Sequence, residues 1–134
     1  MCAETRWRLR YANFQKAMKQ LKSAVELDEY NNLERQGLIH CFEYTIELAW
    51  KTLQDLLEAK GYTVKDPKPV IKQAFQDGYI TDGEAWIVML DSRNLITHTY
   101  DENMGIEISE KIKGSFHKLL DDLDNQLAQE CLLD

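Results

Sequence analysis

Apolar residues recur at intervals of four and three along the first part of the chain: Trp7, Tyr11, Phe14, Met18, Leu21 and Val25. That spacing lays one apolar stripe along about five helical turns. Lys16, Lys19, Gln20 and Lys22 fall between these positions and face water. Polar turn residues from Asp28 to Asn32 end the pattern. A longer helix is predicted from about Leu33 to Lys60, with two stripes. Leu38, Phe42, Ile46, Ala49, Leu53 and Leu56 form one; Ile39, Trp50 and Leu57 belong to the other. So wide an apolar arc predicts a central helix with several neighbours. Gly61 after Lys60 reads as a stop in the left-handed position.

The stretch from Tyr62 to Pro69 reads as an irregular link, because Pro67 and Pro69 lack donors and restrain the residues before them. Val70 to Gln76 predicts a short helix with Val70, Ile71 and Phe75 as its apolar contacts, closed by Asp77-Gly78. Thr81 or Asp82 can cap a fourth helix whose buried side carries Trp86, Met89 and Leu90. Met104-Gly105 reads as an interruption. The last helix is expected from about Ile106 to Cys131, with Ile108, Ile112, Phe116, Leu119, Leu120, Leu123 and Leu127 on one face. The pattern therefore predicts an all-α protein: an up-and-down four-helix bundle with one extra short helix, in a single domain over residues 1–134.

Composition narrows this further. Two prolines and six glycines in 134 residues favour helices over a turn-rich β fold. No apolar run reaches the ~20 residues of a membrane span, and the N-terminus lacks a signal-peptide core, which points to the cytoplasm. Cys2, Cys41 and Cys131 are isolated and odd in number, which reads as free thiols. A net charge of −7 opposes broad, non-specific nucleic-acid binding but leaves room for a local basic pocket or a basic partner.

Candidate chemistry is concentrated in one run, Asp91-Ser92-Arg93-Asn94-Leu95-Ile96-Thr97-His98-Thr99-Tyr100-Asp101-Glu102. Arg93 can hold a phosphate, His98 can move a proton near neutral pH, and Tyr100 offers a hydroxyl. On a helix, Asp91, Asn94 and His98 fall on one stripe, while Arg93, Thr97 and Tyr100 form another. Arg93 and His98 lie about 140° apart on an ideal helix. They converge on one small ligand only if the helix ends, bulges or meets a second copy. Thr97 and Thr99 are weak helix formers and favour an end nearby. Spacing alone also fits a blander reading, in which His98 faces a helix dipole and Arg93 pairs with Asp91.

The whole string is more specific than its spacing. Arg93-Asn94-Leu95-Ile96-Thr97-His98-Thr99-Tyr100-Asp101 resembles the signature of the HEPN superfamily, an Arg and a polar residue followed by His-x-Tyr. The resemblance is closest to the branch of nucleotidyltransferase substrate-binding, or HepT-like, proteins. The Phe42–Lys51 stretch, the proline-containing link and Gly78-Tyr79-Ile80 extend it over most of the chain. It implies a helical bundle that forms a homodimer and works beside a minimal nucleotidyltransferase encoded nearby. It also implies a metal-independent ribonuclease toxin, silenced by AMP addition. Carried over by residue, Arg93 and His98 are catalytic, Asn94 is a polar support beside Asp91, and Tyr100 is the modification acceptor. No cofactor is implied.

Other residues have plainer readings. His40 and His117 sit in amphipathic helices without metal-ligand spacing. Glu43 and Glu47 are one turn apart, and Lys51 follows Glu47 by four, which favours an ion pair over a cation site. Lys60, Lys65, Lys68 and Lys72 read as a solvated face, or as flanks of an RNA or nucleotide path. Trp7, Trp50 and Trp86 read as core anchors. Gly114-Ser115 with Asp122 and Asp124 lies inside an apolar repeat, so nucleotidyl transfer is not expected of this chain itself. Two functional readings stay open: a ribonuclease toxin, and a non-catalytic subunit binding substrate or nucleotide for its partner. A purely structural helical adaptor is the third.

Overall fold

The computed structural model describes residues 2–98 and 100–133. Helix α1 spans Ala3–Ala24 and α2 spans Asn32–Ala59. Helix α3 covers Pro67–Gln76 and α4 covers Gly83–His98. Helix α5 (Glu102–Lys111) leads through a π-helical segment, Ile112–Phe116, into α6 (His117–Leu132). The described residues form no strand. The architecture is the helical bundle that the apolar spacing predicts.

The wide apolar arc of α2 makes it the hub. It packs against α1, α3, α5 and α6. Leu38, Phe42, Ile46, Ala49, Leu53, Leu56 and Leu57 are all essentially inaccessible to solvent. Phe42 stacks on Phe116, with ring centroids 5.5 Å apart. The ends of α2 follow from local chemistry. Asn31 accepts from the Glu34 backbone N–H, and the Glu34 carboxylate accepts from the Asn31 N–H, a reciprocal cap. At the other end Gly61 takes φ 100°, and Tyr62 N–H bonds back to the Leu57 carbonyl, closing the helix in a left-handed turn.

Four details differ from the sequence reading. Helix α3 starts at Pro67, not Val70, because both prolines occupy the first turn, where a missing N–H breaks no helical bond. Phe75 is about half exposed; Val70, Ile71 and Ala74 fill that interface instead. Met104-Gly105 does not interrupt the chain. Asp101 caps α5 by accepting from the Met104 N–H at 2.8 Å, and both residues lie in its first turns. Trp50 is only partly buried, unlike Trp7 and Trp86. As foreseen, Asp82 caps α4, accepting from the Ala85 N–H. No disulfide joins Cys2, Cys41 and Cys131. No described helix is long and apolar enough to cross a membrane.

Candidate functional site at the end of α4

The motif occupies the C-terminal half of α4 and the turn into α5. Helix α4 is regular through both Arg93 and His98. The two side chains therefore leave the axis about 140° apart, and neither a helix end nor a bulge brings them together. Thr99, expected to weaken the helix here, lies outside the described residues. The Thr97 hydroxyl bonds back to the Arg93 carbonyl at 3.2 Å.

Arg93 is held from below by α2. Its Nη2 donates to Glu47 Oε2 at 2.9 Å, and its Nη1 donates to Asn94 Oδ1 at 3.2 Å. Its Nε is buried and meets no acceptor. Glu47 is a hub of its own. The same Oε2 accepts from the Trp50 indole at 3.1 Å, and Oε1 pairs with Lys51 at 3.2 Å. The sequence reading found the Glu47–Lys51 pair but missed Arg93 as the third partner. Only the tertiary fold, which brings Arg93 of α4 within reach of α2, joins residues 46 positions apart. Glu47 thus fixes the orientation of the Arg93 guanidinium.

Burial alone pushes the Glu47 carboxyl up, but the Trp50 indole, Lys51 and Arg93 outweigh it and hold it below the usual range. A lowered pKa means a contribution to stability that is whole above the ordinary value of about 4.3. That contribution fades as pH falls through the lower, folded value. The difference in unfolding midpoint between the native chain and Glu47→Gln is thus expected to shrink as pH drops from neutral towards ~3. Thermal melts across that range check it; a difference independent of pH contradicts the role given to Glu47.

The remaining motif residues separate by role. Asp91 pairs with Lys68 at 3.0 Å, so its cation comes from α3 rather than from Arg93. Lys60 pairs with Glu130, which accounts for a second member of the lysine group. Asn94 and His98 are exposed, with His98 in the last turn of α4. Tyr100 is 44% exposed, and its ring lies across Gly105. A Cβ on Gly105 would stand 2.6 Å from the phenol oxygen, so the glycine serves close approach rather than a turn. His117 is spoken for: its Nδ1 lies 2.9 Å from the Ile112 carbonyl. His40 is not; it lines a groove with Tyr100. Among the described residues no cluster of His, Cys, Asp and Glu assembles a metal site.

A helical bundle presenting this arginine, histidine and tyrosine at one helix end has known relatives. The chain belongs to the family described as nucleotidyltransferase substrate binding protein like, whose pattern matches residues 9–129. It is 28% identical over 81 residues to a protein named "Probable ribonuclease HepT" from Haemophilus influenzae, a match covering 57% of this chain and 56% of that protein. The chain thus spans little more than half the length of that curated relative. A crystal structure of a protein from Thermus thermophilus superposes with a TM-score of 0.78 at 32% identity, covering 85% of this chain and 98% of that one.

Proposed function

We propose that this chain is the HEPN-type partner of a minimal nucleotidyltransferase encoded nearby, and that it is a metal-independent ribonuclease toxin regulated at Tyr100. The observation that carries this reading is the placement of the motif. Arg93 is anchored through Glu47, while His98 and Tyr100 stand exposed at the same helix end. Family membership supports the partner, and the relative's printed name supports the reaction.

Cleavage without a metal is aided by a base for the 2′-hydroxyl, an acid for the leaving oxygen and a cation for the phosphorane. His98 takes the 2′-proton as that oxygen attacks phosphorus. The bond to the 5′-oxygen breaks, and this oxygen takes a proton from a second imidazole. The products are a 2′,3′-cyclic phosphate and a free 5′-hydroxyl. Arg93 steadies the charge on phosphorus. One α4 supplies a single His98, so the reading needs a homodimer. Val88 and Leu95, both about half exposed, share a face of α4 with His98. Two copies meeting through that apolar face would pair two His98 rings, while each Arg93, on the far side of its own α4, stays anchored to Glu47. The pair would work in the cytoplasm.

Regulation would use the exposed phenol. Tyr100 Oη attacks the α-phosphorus of ATP on the partner nucleotidyltransferase, loses its proton and releases pyrophosphate. A second reading rests on the family's description: a non-catalytic subunit in which Arg93 and His98 grip substrate or nucleotide for that partner. Expression alone and with the adjacent nucleotidyltransferase gene, followed by intact mass, separates them. The toxin reading expects the lone chain to arrest growth, and the partner to relieve arrest while adding the mass of AMP at Tyr100. Harmless expression, with nucleotide retained only while Arg93 is present, would favour the second reading.

A further inference from the structure

Beside the motif runs a groove that neither reading uses. Its walls are Gln36, Ile39, His40 and Glu43 from α2, with Ile96 from α4 and Tyr100 from the following turn. Its volume is about 530 Å³, within the range of small-molecule sites. Ile39 and Ile96 are buried and make an apolar floor. Gln36 and His40 are exposed and Glu43 half-buried, so three polar side chains stand at the rim. Tyr100 adds an aromatic face, held across Gly105.

An apolar floor, one aromatic ring and a rim of amide, imidazole and carboxylate suit a flat, polar-edged heterocycle. Purely aliphatic ligands would leave the rim unmatched, and a simple anion would face Glu43. Tyr100 is two residues past His98, so their Cα atoms are at most about 7 Å apart along the chain. Arg93 lies one turn before Ile96 on the same side of α4, so a phosphate held at Arg93 has its own base within reach of this groove.

We infer that the groove is a nucleobase subsite, with Tyr100 as the stacking surface and Gln36, His40 and Glu43 reading the base edge. The inference rests on Arg93 being the phosphate grip. Two sources offer the same chemistry: a nucleotide of bound RNA, and the adenine of an AMP attached to Tyr100.

Titration calorimetry on the full chain compares adenosine 5′-monophosphate with ribose 5-phosphate, which lacks only the base. The monophosphate is expected to bind about tenfold more tightly, in keeping with hydrogen bonds from the base edge to His40 and Glu43. The double variant His40→Ala/Glu43→Gln is expected to erase that margin and leave ribose 5-phosphate binding unchanged. Both residues lie at the groove's rim, and melting curves confirm that the variant is folded. Equal affinities in the native chain, no binding at millimolar monophosphate, or a margin that survives the double variant each overturn the subsite. Arg93→Ala is read separately: if it weakens neither ligand, the phosphate grip itself is wrong.

The two sources are told apart by modification of His40 with diethyl pyrocarbonate, read by peptide mass. Protection by a short RNA oligonucleotide on the unmodified chain assigns the groove to an RNA base. Protection in chain carrying AMP on Tyr100 assigns it to the tethered adenine. Unchanged reactivity in both arms overturns the inference.

Discussion

Replacing His98 by alanine is expected to lower RNA cleavage by about 10²–10⁴-fold, the usual worth of a positioned acid–base group. In energetic terms this is about 3–5 kcal/mol of transition-state stabilisation. The side chain is exposed, so the fold should hold and the melting curve should move little. Single-turnover cleavage of RNA and growth of cells expressing the variant both report on it. The homodimer reading adds a sharper outcome. Mixing the native chain with an excess of His98→Ala chain is expected to depress the native activity, because a mixed dimer holds only one of the two imidazoles that the shared site needs. Unchanged cleavage by His98→Ala ends the ribonuclease mechanism proposed above; undiminished activity on mixing ends only the shared site.

The largest effect on stability is expected at Phe42. It is fully buried at the centre of α2 and stacked on Phe116. Truncation to alanine removes that contact and leaves a cavity between α2 and the π-helical segment, at a cost of about 3–5 kcal/mol. Native domains hold only about 5–15 kcal/mol in all, so the unfolding midpoint should fall by roughly 10–20 °C. Leu33→Ala provides the contrast. That side chain is 78% exposed and should shift stability by no more than about 0.5 kcal/mol. Urea melts with a common slope test both. Equal midpoints for the two variants would mean that Phe42 is not the keystone that its burial implies.

The apolar spacing carried most of the architecture, because a three-four repeat directly encodes which face of a helix is dry. It placed α1, α2 and α4 well and found the α2 stop at Gly61. It failed where one residue type has two physical uses. Gly105 looked like a break, yet its lack of a side chain admits the Tyr100 ring. Prolines looked like irregular chain, yet they sit where a helix begins. Phe75 had the right spacing for the core but lies at the rim of a cleft between α3 and α4. In the site, Arg93, His98 and Tyr100 stood out by chemistry. Glu47 and His40 did not, because their importance comes from α4 and Tyr100 being folded against α2. A local sequence pattern holds no record of that packing.

The π-helical turn at Ile112–Phe116 sets the register of the final rod. A ring closed five residues back holds one residue more than the ordinary ring closed four back. The segment is therefore where the rod can gain or lose a single residue without its two halves rotating against each other. Ile108 on one side and Leu120, Leu123 and Leu127 on the other all face the core, although their spacing would drift in an uninterrupted α-helix. Gly114, with open space where a Cβ would be, is the natural position for such a length change. Chains of this fold that differ by one residue here would superpose on both halves of the rod, and their apolar faces would come into line only with a gap at that point.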